Sequence, residues 1–247
     1  MFSFKSKLIA AVFAFLGIAT FMGCSKNDET GKSIQQDLPS AQDVGKVHNA
    51  SLDFVLIQLK QDNFKSTANE QALKDSVISY TKSYLITNEG VTESEINEIN
   101  EMIGITSDTL DISQLLSSVT DDNYRNMLTD IIDIFNSETP LSYSELDNAL
   151  NLIEIDAAAS SYYNEIIAIT SVARYSYIYW EQEMDNWVFL FNGNTKSVNV
   201  DPRFWDILGA DAQGAVGGAI GGGLVGALIG APFASGIQGI VVALQAK

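Results

Sequence analysis

One cysteine, one histidine and four prolines are all that the 247 residues hold of the types that most often mark a chemical site or a sharp turn. Without a second cysteine the chain forms no internal disulfide, and its one thiol, Cys24, has no resolving partner. A single imidazole, His48, excludes zinc sites built on two or three histidines, the HExxH type among them. A Ser-His-Asp triad would have to use His48, and no serine lies in a Gly-x-Ser-x-Gly turn. His48 itself reads as a packing or capping residue near the start of the first helix, with Asn49 beside it. Asp121, Asp122, Asp130 and Asp133 offer carboxylates, yet no EF-hand loop with its central Gly and terminal Glu surrounds them. Acids on helix faces are solvation first, although counting alone leaves a glycosidase-like carboxylate pair open. The expectation is a non-enzymatic protein with no catalytic residue, no metal and no cofactor.

Positive charge is also scarce. Lys and Arg number 14 against 31 Asp and Glu, for a formal charge of −17. Such a chain repels phosphate backbones, so nucleic acid is excluded as a partner. An anionic membrane surface would repel it too unless something else held it there. The two lysines nearest the start, Lys5 and Lys7, precede an apolar stretch from Leu8 to Met22 and then Gly23-Cys24. A short positive region, a 15-residue apolar region and a small residue before a cut site form a secretory signal, too short to span as a typical helix.

The Gly-Cys ending resembles the lipobox of bacterial lipoproteins, with Phe21 where Leu is usual. The resemblance implies cleavage before Cys24, removal of residues 1–23 and acylation of the Cys24 thiol. Several acyl chains on one residue give durable anchoring, where one alone is marginal. Ser25 in place of Asp implies passage to the outer membrane. Lys26 followed by Asp28 and Glu29 resembles the surface-export signal of Bacteroidota-type lipoproteins, although a solvated tether accounts for the same residues. The expected location is therefore the outer membrane, reached by secretion through the inner one, with display on the cell surface as the further expectation. Residues 24–45 read as lipid anchor and flexible tether, being polar with Gly31 and Pro39 and without apolar periodicity.

From residue 46 to 205 the pattern is helical, and no convincing strand alternation occurs, so the fold class is mostly α. Leu52, Val55, Leu56 and Leu59 recur at helical spacing, as do Leu73, Val77, Tyr80, Tyr84 and Leu85. Thr92 with Glu95 and Ser142 with Glu145 fit the capping box and predict two helix starts. Ile96, Ile99, Met102 and Ile103 follow the first box, and Leu146, Leu150, Ile153 and Ala157 the second. A short helix near 111–118 and a longer one at 122–136, capped by Asp121, are expected between them. The aromatic-rich segment 160–191 reads as core, with glycan binding or hydrolysis as its alternative use.

Residues 206–247 are the unusual part. From Ala212 to Ala246 there is no charged residue, and Gly214, Gly218, Gly222, Gly226 and Gly230 recur every fourth position. Glycines at this spacing strip one helix face and let a second backbone approach closely. Ser235, Gly239 and Ala243 form a second row, also spaced by four. Pro232, just after Gly230, predicts a bend between limbs 212–230 and 233–246, with the two rows facing each other in an antiparallel hairpin. These residues resemble the glycine-zipper hairpins of certain outer-membrane lipoproteins and, more loosely, of membrane-active bacteriocins. That resemblance implies helix packing and membrane association, so lipid and self-association are the partners expected beyond the acyl anchor. A surface-displayed membrane-active effector is the alternative. Whether the hairpin lies in lipid or in the core of the domain stays open at this level.

Overall fold

The computed structural model of the chain describes residues 38–62, 69–104, 111–137, 139–192 and 202–245. The expected signal, Cys24, Lys26, Asp28 and Glu29 lie outside the described residues. Among the described residues there are eight α-helices, no strand, and one 3-10 turn at Ala41–Asp43. The helices are α1 (Val44–Gln61), α2 (Glu70–Asn88), α3 (Glu93–Ile103), α4 (Ile112–Ser118), α5 (Asp122–Phe135), α6 (Tyr143–Ala157), α7 (Tyr163–Asn192) and α8 (Pro202–Gln245). The fold is mostly α, as the sequence predicts.

Local chemistry sets most of the starts. Thr92 and Ser142 each accept from the amide three residues on, while Glu95 and Glu145 reach back to the cap amide, completing both predicted boxes. Asp121 caps α5 through the Tyr124 amide, and Asp111 caps α4 through that of Gln114. Gly104 ends α3 in the left-handed conformation that suits glycine. The periodic apolar residues are the buried ones: Leu52, Val55, Leu56 and Leu59 on α1, Leu146, Leu150, Ile153 and Ala157 on α6. Tyr80 and Tyr84 are only partly buried, and Met102 departs furthest. It is 47% exposed and lies over Gly221.

Two long elements organise the rest. α1 and α7 run parallel in constant register: the Gly45 amide donates to Ser171 Oγ, the Asn49 side chain to the Tyr175 carbonyl, and Asp53 pairs with the Tyr179 hydroxyl. Arg174 on α7 binds Asp147 at 2.6 Å as well as Glu154 and Asn151, which fastens α6 alongside. α8 is a hairpin of two limbs, 202–221 and 224–245, because Gly222 and Gly223 leave helical geometry (φ −149° and φ 59°). Its first limb runs antiparallel to α7, with Asp211 beside Ser176 and Gly223 beside Glu165. Helices α1, α2, α3, α5 and α7 all pack on it.

Two expectations change here. The expected tether of residues 24–45 ends sooner, since Ala41–Asp43 already form a turn whose Gln42 carbonyl accepts from Ser171 at 2.7 Å. The hairpin expected as a separate element after residue 205 belongs to the same compact unit as the other helices, Gln36–Lys247. An apolar run with this many neighbouring apolar helix faces buries more surface inside the bundle than beside it.

Candidate functional site

The glycine seam is the first feature to place. The bend falls at Gly222–Gly223 and not at Pro232, which is accommodated within the second limb. Gly223 has φ 59° and ψ −138°, a conformation that side chains resist, so glycine decides where the chain reverses. Reversal at that point folds the glycine row onto itself. Gly218 meets Gly226 backbone to backbone, and Gly214 meets Gly230, each pair equidistant from Gly222. A Cβ on Gly218 would run into the Gly226 carbonyl, and one on Gly226 into the Gly218 carbonyl. Gly222 is therefore part of the turn, while the other four glycines form the seam.

Ser235, Gly239 and Ala243 do not face that row. Gly239 packs under the Trp180 ring, Ser235 accepts from the Trp180 indole nitrogen at 3.2 Å, and Ala243 is buried. Ser235 and Gly239 of this second row are a seat for α7. Trp180, Trp187 and Phe191 are fully buried on α7 beside Tyr179, so these rings of the aromatic segment belong to the core and present no face to a glycan.

Beneath the seam lies a buried polar node that the sequence did not reveal. Asp211 on the first limb of α8 is fully buried, and its Oδ2 accepts from the Ser176 hydroxyl and from Trp180 Nε1 at 3.1 Å. Ser235 also hydrogen-bonds to it, so both limbs are fastened to α7 through one carboxyl group. His48 on α1, also buried, brings Nε2 to 3.7 Å from the same oxygen. The Tyr175 carbonyl only accepts, so the Asn49 amide nitrogen faces it and the Asn49 oxygen faces His48 Nδ1 at 2.9 Å. The imidazole therefore carries its proton on Nδ1 and turns a bare Nε2 lone pair toward Asp211. At 3.7 Å, Nε2 and Asp211 Oδ2 are too far apart for a hydrogen bond, and both His48 Nε2 and Asp211 Oδ1 are buried without a partner.

Burial favours the neutral form of each group. It pushes the Asp211 carboxyl up to about 7, against the pull of hydrogen bonds from Ser176, Ser235 and Trp180. It pushes the His48 imidazole down to about 4, against the bond to Asn49. The pair thus holds one proton between about pH 4 and about pH 7. As free side chains, with ordinary values of 3.8 and 6.5, the two also hold one proton over most of that range, on the histidine. Folding moves the proton from imidazole to carboxyl without changing the number bound, so the two pH dependences cancel.

The node is not a nucleophile–base arrangement. Ser176 donates to the carboxylate rather than to the imidazole, and all three side chains are closed off from solvent. No group of three or more His, Cys, Asp or Glu able to hold a metal occurs among the described residues. Comparison with protein-family models, with curated proteins and with solved structures finds no match.

Two outcomes test this geometry. Gly218→Ala is expected to lose about 2 kcal/mol or more in urea denaturation, since backbone must separate. Gly209→Ala, whose added methyl would find its nearest neighbour, Phe135, 3.8 Å away, is expected to gain up to about 1 kcal/mol from helix propensity. Equal effects would mean that the limbs do not touch. Separately, the protein with both groups is expected to keep a flat contribution from this pair between pH 4 and 7. Asp211→Asn leaves the depressed His48 alone, so stability is present above pH 6.5 and is lost as pH falls through about 4. His48→Gln leaves the raised Asp211, so stability is present below pH 3.8 and is lost as pH rises through about 7. Opposite slopes of up to about 1.4 kcal/mol per pH unit in the two variants are the signature.

Proposed function

We propose that the chain is a secreted, non-enzymatic, lipid-anchored protein of the outer membrane or cell surface, whose glycine hairpin performs helix–helix association as the centre of its own domain. The observation that carries the hairpin part is the backbone contact of Gly218 with Gly226. The zipper's partner is the other limb, and most of the outer surface of the two limbs is covered by α1, α2, α3, α5 and α7. The anchor is assigned to Cys24, on the apolar region and the Gly23-Cys24 ending, with Lys26, Asp28 and Glu29 as the export signal. The closed Ser176–Asp211–His48 node supports the non-enzymatic part, because the lone imidazole lies where no substrate reaches it.

One observation favours a second reading, a membrane-active effector. Among the described residues one helix, Arg203–Gln245, is long and apolar enough to cross a bilayer, although 72% of its most apolar stretch is buried in the domain. The limbs, about 30 Å and 33 Å long as helices, match the hydrocarbon thickness of roughly 30 Å.

Fractionation separates the two. Cys24→Ala is expected to abolish incorporation of labelled palmitate and to move the protein from the outer-membrane fraction to the soluble one. Continued fractionation with the membrane would sink the acyl-anchor assignment. Release of dye from vesicles by protein lacking the lipid would replace the scaffold reading with the effector.

A further inference from the structure

The longest open run of the apolar α8 hairpin is its turn, residues 220–225, while Ile237, Val241 and Leu244 on the second limb are partly open as well. Gly222 is exposed, and Ile220, Gly221, Gly223, Leu224 and Val225 are each partly open, in contrast to the closed stretch from Gly226 to Phe233. Met102, exposed on α3, lies against Gly221 and extends the same patch. No hydrogen-bonding or charged side chain occurs between Gly214 and Ala234, so the tip offers only aliphatic groups and backbone.

The position of this patch is tied to that of the chain entry. Gly223 lies beside Glu165, in the first turn of α7. The Ala41–Asp43 turn, where the domain begins, is fixed to Ser171 through the Gln42 carbonyl, six residues further along the same helix. Six residues of helix rise about 9 Å. Entry and tip therefore share one end of α7. Phe189, 51% exposed near its other end, is about 36 Å from Glu165 along the axis. Only 14 peptide steps separate Cys24 from Leu38, a reach of at most about 50 Å. A domain standing on its other end would use more than half of that reach travelling back along α7.

We propose that the hairpin tip, residues 220–225 together with Met102, docks on the surface of a neutral, zwitterionic lipid bilayer. This orientation rests on the acyl anchor at Cys24. The charge around the patch selects the headgroup. Glu98 and Glu101 are exposed on α3 beside it, Glu165 flanks the turn, and no lysine or arginine lies on 220–245. An anionic surface would be repelled by these carboxylates, and a zwitterionic one is not. Shallow burial of aliphatic side chains at the headgroup boundary needs no departure of the hairpin from the core.

The test uses the lipidated full chain reconstituted in phosphatidylcholine vesicles. An acylated Cys24 has no free thiol, so Val225→Cys carries the only site for a polarity-sensitive fluorophore. Phe189→Cys carries the same probe at the far end. The tip probe is expected to shift to the blue and to be quenched by spin-labelled lipid about twofold or more above the far-end probe, consistent with burial at the headgroup boundary. Adding anionic lipid is expected to reduce that difference. If Val225→Cys does not fold, Met102→Cys gives the same readout from a position already exposed, outside the turn. Equal quenching at both ends, or stronger quenching at 189, overturns the proposal. Failure of the anchor shows itself differently, as a second free thiol and as protein that does not float with the vesicles. The tip is then judged in a Cys24→Ser background with vesicles added from outside: a blue shift at 225 alone upholds the docking, and none overturns it.

Discussion

The contact of Gly218 with Gly226, one peptide backbone resting on another, is the constraint on which the arrangement depends. No side chain, not even a methyl group, fits in that space, so the two limbs close to a narrow rod. A narrow rod can be surrounded. Trp180 settles onto Gly239, Val77 onto Gly236, and Ile99 onto Gly222 and Gly226, each large group seated over an absent one. Glycine inside a helix costs about 1 kcal/mol per residue in water. Here that cost is offset by apolar surface that α1, α2, α3, α5 and α7 cover together. Widening the seam by one methyl group would disturb every one of those neighbours.

A second constraint sits at the base of the rod and is polar. Apolar packing alone leaves helices free to slide and rotate, because one aliphatic contact resembles the next. Asp211 removes that freedom. Its carboxyl group ties the first limb to Ser176 and Trp180, and Ser235 brings in the second limb through the same indole. The cost of burying an acid is limited because burial raises Asp211 and lowers His48, so between about pH 4 and 7 the neutral form of each prevails. The register of α8 against α7 is thereby specified by a few directional bonds within an otherwise greasy interior.

Much of this was legible in the residues, and the reasons for the rest are physical. Capping boxes are local, so Thr92 with Glu95 and Ser142 with Glu145 announce their helices without reference to anything distant. Apolar spacing gives the buried faces of α1 and α6 for the same reason. The hairpin was legible in kind and misread in register. Proline is the stronger breaker on paper, yet Pro232 stays within a limb because the Gly222–Gly223 step reverses the chain first. A clue was present: the glycine row is symmetric about residue 222, as a self-closing seam requires. His48 and Asp211 had no such clue. They are 163 positions apart, each unremarked by its neighbours, and only the packing of both α1 and α8 on α7 brings them together.

The order of elements along the chain carries one further consequence. The helices that pack on the rod, α1, α2, α3, α5 and α7 among them, all precede it. A ribosome delivers them first, and although α1, α2, α6 and α7 pack partly on one another, the faces turned to α8 stay uncovered until it emerges. Their contacts with α8 span long sequence separations, which slows folding and delays it until the late segment is present. The nascent chain is thus held back from premature compaction by its own layout, with the keystone delivered last.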